Sequence, residues 1–149
     1  MEILIKKFSE LSRKELYDVL ALRSEVFVVE QACAYQDVDG KDAQAHHLLC
    51  VENKVLIAYL RLFLGETNGD NANIGRVVVR STHRKMGLAI KIMKKAMAFI
   101  KTQQKGTPIE LSAQRYLVKF YDDLGFSVEG DGYLEDGIPH IKMVYQGLK

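Results

Sequence analysis

The chain has 149 residues, 48% hydrophobic and 27% charged, with a net charge of +2, enough for one domain with a core of its own. That charge is too small, and the lysines too scattered, to argue for nucleic-acid binding, and no apolar run reaches the ~18 residues of a membrane span. Cys33 and Cys50 lack metal-site spacing, and Met1–Lys6 carries no signal-peptide pattern, so the expectation is a cytoplasmic protein without a disulfide or structural metal.

Glu2 to Phe8 alternates loosely and reads as a strand. Ser12-Arg13-Lys14-Glu15 is a capping box, in which hydroxyl and carboxylate each satisfy an orphan N–H. The helix or helix pair that it opens runs to about Gln31, with Leu16, Val19, Leu20 and Phe27 on one stripe and Arg23 among them. Cys33 to Ala45 is polar, rich in aspartate, and reads as a loop. His47 to Val51 and Val55 to Leu62 are strands about the turn Glu52-Asn53-Lys54. Gly65 to Asn71 is a second turn with Asn68-Gly69 at its tip, and Ile74 to Val79 is the next strand.

Leu88, Ile92, Ala96 and Phe99 recur at helical spacing and predict a helix from about Met86 to Lys101. Ile109 to Ala113 is a strand, and Tyr116 to Leu124 a helix closed by Gly125. Phe126 to Val128 and His140 to Tyr145 are the last strands, with Asp131 to Pro139 read as a loop between them. Without repeats or a linker, residues 1–149 form a single domain: an α/β (α+β) fold with a mixed sheet and helices on both faces.

The segment from Val77 to Ala89 is an apolar strand, a short loop ending in Arg84-x-x-Gly87-x-Ala89, and a helix. A helix start offers unpaired N–H groups and the positive end of the macrodipole, and glycine lets an anion reach them. This pattern resembles the acyl-CoA loop of the GNAT superfamily of N-acyltransferases. A second segment, Ser112-Ala113-Gln114 through Phe120-Tyr121 to Gly125-Phe126, is similar to the family's Asn-x-x-Ala-x-x-Phe-Tyr-x-x-x-Gly-Phe. Within the superfamily the chain resembles the ElaA group, on Leu22 to Gln31, Tyr35-x-Asp37-x-Asp39-x-x-Asp42, Ala45-His46-His47-Leu48 and Glu135-Asp136-Gly137-Ile138-Pro139-His140.

The resemblance implies a largely antiparallel sheet of six to seven strands, and an N-acetyltransferase moving an acetyl group from acetyl-CoA to a primary amine by direct attack in a ternary complex. It places the cofactor on the main chain of Val77, Val78 and Val79, on Arg84, Lys85, Met86, Gly87, Leu88 and Ala89, and on Gln114 and Tyr121. Tyr121 matches the family's tyrosine and is the expected general acid, since a phenol stays protonated at neutral pH. The glutamate that some members use as base falls on Asn73. His46, His47, His140 and Glu30 are the candidates left, beside water relay; adjacent His46 and His47 cannot both face one cleft. Arg23, Phe27, Glu30, Gln31, Arg76 and Asp136 are candidates for the acceptor pocket, with Arg61 assigned to a structural ion network. Asp37-x-Asp39-Gly40-x-Asp42 lacks the length and terminal glutamate of a calcium loop. The expected partner is a small-molecule or peptide amine, and the family's habit of pairing through late strands leaves a homodimer open. Two other readings stand beside this one: an acyltransferase similar to the acyl-homoserine-lactone synthases, and a non-catalytic acyl-CoA-binding module.

Overall fold

The computed structural model describes residues 1–65 and 70–146; the Asn68-Gly69 turn tip lies outside the described residues. Among the described residues the strands are β1 (Glu2–Lys7), β2 (His46–Glu52), β3 (Val55–Phe63), β4 (Ala72–Val79), β5 (Ile109–Gln114), β6 (Ser127–Val128), β7 (Tyr133–Glu135) and β8 (Ile138–Tyr145). They form one sheet in the order β1-β2-β3-β4-β5-β8-β6, with β7 also on β8. The strand beyond the expected six to seven is β7, which forms inside the segment read as a loop. Asp136 and Gly137 take φ of 51° and 78°, the left-handed pair that closes a two-residue hairpin and matches strand twist.

Three α-helices are described: α1 (Arg13–Arg23), α2 (Leu88–Gln103) and α3 (Val118–Asp123). The capping box opens α1 as expected, with the Glu15 N–H donating to Ser12 Oγ at 3.0 Å. α1 then widens into π-helical turns over Ser24–Glu30, where the Gln31 and Cys33 N–H groups reach back five residues to Val26 and Val28. Its buried stripe is Val19, Leu22, Arg23 and Val26, while Leu16 and Leu20 stay half-buried. This stripe packs on Leu49, Tyr59 and Val78. The other face of the sheet takes Ile92, Met93, Ala96 and Ile100 of α2 against Leu48, Leu60 and Ile74. Each such large side chain contributes about 1.5–3 kcal/mol of burial. α2 starts two residues later than its periodicity suggests, because Lys85 and Gly87 take φ of 64° and 76°.

Two irregularities shape the centre of the sheet. Tyr59 pairs with Val78 but Arg61 pairs with Gly75, so Leu60 faces two residues and β4 bulges at Arg76, whose φ is 52°. β4 and β5, the one parallel pair among the described residues, meet only at Ala72–Ile109 and Asn73–Glu110. Beyond these two rungs the strands diverge and a gap opens between them.

The loop after α1 is fastened by ions. Arg23, 0% exposed, donates from Nε to Asp37 at 2.8 Å and from Nη1 to Asp42 at 2.7 Å. Arg61 binds Asp42 at 2.9 Å and Asp39 at 2.5 Å, and Arg76 lies 2.8 Å from Asp37. Three arginines and three aspartates thus alternate. Arg23 belongs wholly to this lattice and does not line the gap, which corrects its expected place in the acceptor pocket. A guanidinium on the buried stripe of α1 is tolerated only where carboxylates meet it.

Replacing Arg23 with leucine leaves Asp37 and Asp42 buried with one partner fewer. The expected loss is about 3–5 kcal/mol in urea unfolding. The lattice also sets an acid limit. Hydrogen bonds from Arg61 hold the Asp39 carboxyl below its ordinary range, overcoming partial burial. Burial alone would raise Asp42, but Arg23 and Arg61 outweigh it and leave Asp42 lowered as well. Folded values below unfolded ones give stability that is complete above the ordinary carboxylate range and lost as pH falls through it. Urea midpoints should therefore drop below about pH 4, and less steeply in Arg23→Leu.

Candidate active site

The gap between β4 and β5 widens into a cleft of about 860 Å³. Its walls come from four places. The segment after α1 supplies Phe27, Gln31 and Asp39; the bulged strand supplies Asn73, Arg76 and Val77; β5 and α3 supply Gln114 and Tyr121; the β7–β8 hairpin supplies Glu135, Asp136 and His140. Of the expected acceptor residues, Phe27, Gln31, Arg76 and Asp136 line this cleft, whereas Arg23 and Glu30 do not.

Tyr121 is buried, with Phe120 and Phe126 set edge-on to its ring at 5.0 and 6.1 Å. Burial pushes its phenol up to about 12. Its ring edges onto the cleft, and its hydroxyl has no hydrogen bond among the described residues. Gln114, at the end of β5, sits opposite His140 in register.

The turn expected to hold an anion lies past β4. Lys85, Met86 and Gly87 are exposed, Leu88 packs its side chain into the core, and the first N–H groups of α2, at Leu88 and Ala89, have no partner within the helix. Arg84 is already engaged. Its Nε donates to the Val79 carbonyl at 3.1 Å, and its two Nη atoms grip Glu30 at 2.6 and 3.1 Å. The Val79 carbonyl, one of the groups expected for the cofactor's arm, is thereby partnered within the chain, and Glu30 holds the loop rather than the cleft.

The histidines separate cleanly. His47 is fully buried. Its Nε2–H donates to the Asp42 carbonyl at 2.9 Å, so its Nδ1 accepts from the Tyr59 hydroxyl at 2.6 Å. Burial holds His47 below its ordinary range. His46 projects to the opposite face and rests on Phe99 at 5.2 Å, outside the cleft; it is corrected as a candidate base. His140 is in the cleft wall. Sequence reasoning missed Glu135 beside it, Cys33 and Tyr35; the Asp136-Gly137 dipeptide was the signal that would have revealed the hairpin and placed Glu135.

Comparison with known families matches residues 9–146 to the acetyltransferase (GNAT) domain. The chain belongs to the GNAT acetyltransferase family. It is 40% identical to the ElaA protein of Escherichia coli over 143 residues, which is 95% of this chain and 94% of that protein. The crystal structure of E. coli ElaA matches with a TM-score of 0.90 at 38% identity, covering 96% of this chain and 97% of that one. An acyl-CoA N-acyltransferase from Pseudomonas aeruginosa matches with a TM-score of 0.91 at 42% identity, covering 97% and 99%. The protein is an acyltransferase with the acyl-CoA N-acyltransferase fold.

The Glu30 carboxylate competes with any diphosphate for the Arg84 guanidinium. Glu30→Gln removes that charge, and an exposed pair of this kind is worth at most about 1 kcal/mol. CoA binding measured by calorimetry should tighten, by up to about fivefold.

Proposed function

We propose that the protein transfers an acetyl group from acetyl-CoA to a primary amine, in a ternary complex and in the cytosol. The observation that carries this reading is the gap where β4 and β5 part after two rungs, with the Tyr121 ring at its wall. A thioester lying in that gap has its diphosphate at the start of α2 and its sulfur near Tyr121. The amine enters from the side lined by Gln31, Arg76 and Asp136. Its lone pair attacks the thioester carbonyl carbon, the C–S bond breaks, and the electron pair leaves with sulfur.

Burial makes Tyr121 a donor that holds its proton. Against a thiol of ~8.5, a phenol near 12 gives up its proton about 5 kcal/mol uphill. Tyr121 therefore acts by hydrogen-bonding the sulfur as charge develops. The proton crosses fully only as the reacting nitrogen, shedding its own, refills the phenol. The free first-turn N–H groups of α2 favour a diphosphate-bearing donor over the carrier-protein reading, and a tyrosine without a packing hydrogen bond favours catalysis over a passive binding module.

Acetyl-CoA at ~100 times its dissociation constant should stabilise the fold by about 2.7 kcal/mol, a rise of about 5–10 °C in midpoint. CoA should act alike. No shift with acetyl-CoA, CoA or dephospho-CoA would sink the cofactor assignment. Tyr121→Phe should keep that shift while thiol release slows by at least about 100-fold; an unchanged rate removes Tyr121 from the chemistry.

A further inference from the structure

We propose that His140 is the general base that takes a proton from the incoming ammonium, with Glu135 positioned to hold the resulting imidazolium; this rests on the acyl-transfer reading above. The argument begins with elimination. His46 faces away on Phe99, both ring nitrogens of His47 are in use, and Glu30 is bound to Arg84. His140 alone among these lines the cleft, as does Tyr121.

Its geometry selects one tautomer. Nδ1 lies 2.7 Å from the Ile138 carbonyl, and a carbonyl oxygen only accepts, so the hydrogen of the neutral ring is on Nδ1. The lone pair is therefore on Nε2. Nε2 lies 3.4 Å from Glu135 Oε2, and Glu135 is half-exposed at the cleft rim. The ring cannot turn freely. Tyr133 stacks on it at 6.3 Å and 21°, and the Tyr133 hydroxyl is itself tied to Ser112 across the sheet. A fixed tautomer oriented by a backbone carbonyl is how an imidazole is prepared for proton transfer.

The step balances simply. One N–H bond of the alkylammonium breaks, its electron pair stays on nitrogen, and the proton goes to Nε2. Glu135 accepts a second N–H of the ammonium before transfer and pairs with the imidazolium after it. The neutral amine then attacks, and His140 returns its proton to water. The acceptor class is a primary alkylamine that arrives charged.

The test uses two nucleophiles with saturating acetyl-CoA at pH 7: n-propylamine, almost wholly protonated, and hydroxylamine, largely neutral. His140→Asn retains an amide that can donate to the Ile138 carbonyl but has no Nε2. Its thiol release with propylamine should fall at least about 100-fold, with a much smaller loss for hydroxylamine and an unchanged thermal shift with CoA. Equal losses with both nucleophiles would overturn the assignment. Glu135→Gln should raise KM for propylamine and leave KM for hydroxylamine unchanged; equal changes would remove its positioning role. Long-range ¹H–¹⁵N NMR gives an answer that needs no acceptor. The neutral His140 ring should carry its proton on Nδ1, and an Nε2–H tautomer would by itself dismiss His140 as base. A wild-type protein that binds CoA yet acylates neither nucleophile would instead count against the transfer reading.

Discussion

Six alternating charges determine where one wall of the cleft stands. Arg23, Arg61 and Arg76 come from α1, β3 and β4; Asp37, Asp39 and Asp42 come from the intervening loop. Each carboxylate is shared between two guanidinium groups, so the lattice has no net charge and no lone buried ion. A polar loop has little apolar surface to fold with. Here it is placed by charge-assisted hydrogen bonds of fixed geometry, which bring Tyr35 and Asp39 to the cleft wall at defined positions. The strained bulge at Arg76 belongs to the same arrangement, since it aims that guanidinium at Asp37.

The second constraint is the shortness of the parallel joint between β4 and β5. A parallel pair with two rungs is a short seam, and the strands from β5 onward are held together by their pairing with β8 and by the layer containing α2 and Tyr121. The seam gives the cleft its depth. It also brings together residues from distant parts of the chain: a phenol from α3, an amide from the end of β5 and an imidazole from β8. The segment past β4 is different in kind. It is local, built from a strand end and the turn before α2, where two left-handed residues hold the helix start clear of the sheet.

Much of this was legible in the residues. The capping box, the α2 periodicity, the Asn53-Lys54 turn and the Arg84 to Ala89 loop depend on neighbours within about four positions, and such interactions are written in local spacing. The α1 stripe was legible in part: Arg23 was seen to share it, but Leu22 and Val26 rather than Leu16 and Leu20 complete its buried face with Val19, at the ordinary i, i+3, i+4, i+7 spacing. The β7 hairpin was missed because Tyr133 and Leu134 are exposed and give no buried alternation to read. The base candidates could be named from chemistry alone, but not ranked. His46 and His47 differ by one residue, and the pleat sends them to opposite faces.

The sequence by itself determined the order of the elements other than β7, the turn that precedes α2 and membership of an acyltransferase family, because each depends on short-range pattern. Tertiary structure decided the roles of the charged residues. It moved Arg23 from the pocket into the ion lattice, set Glu30 on Arg84, and put His140 in the cleft wall with Nε2 beside Glu135. The first two outcomes turn on which groups meet across 14 to 54 positions of chain, and a charged group takes its role from the partner it finds there.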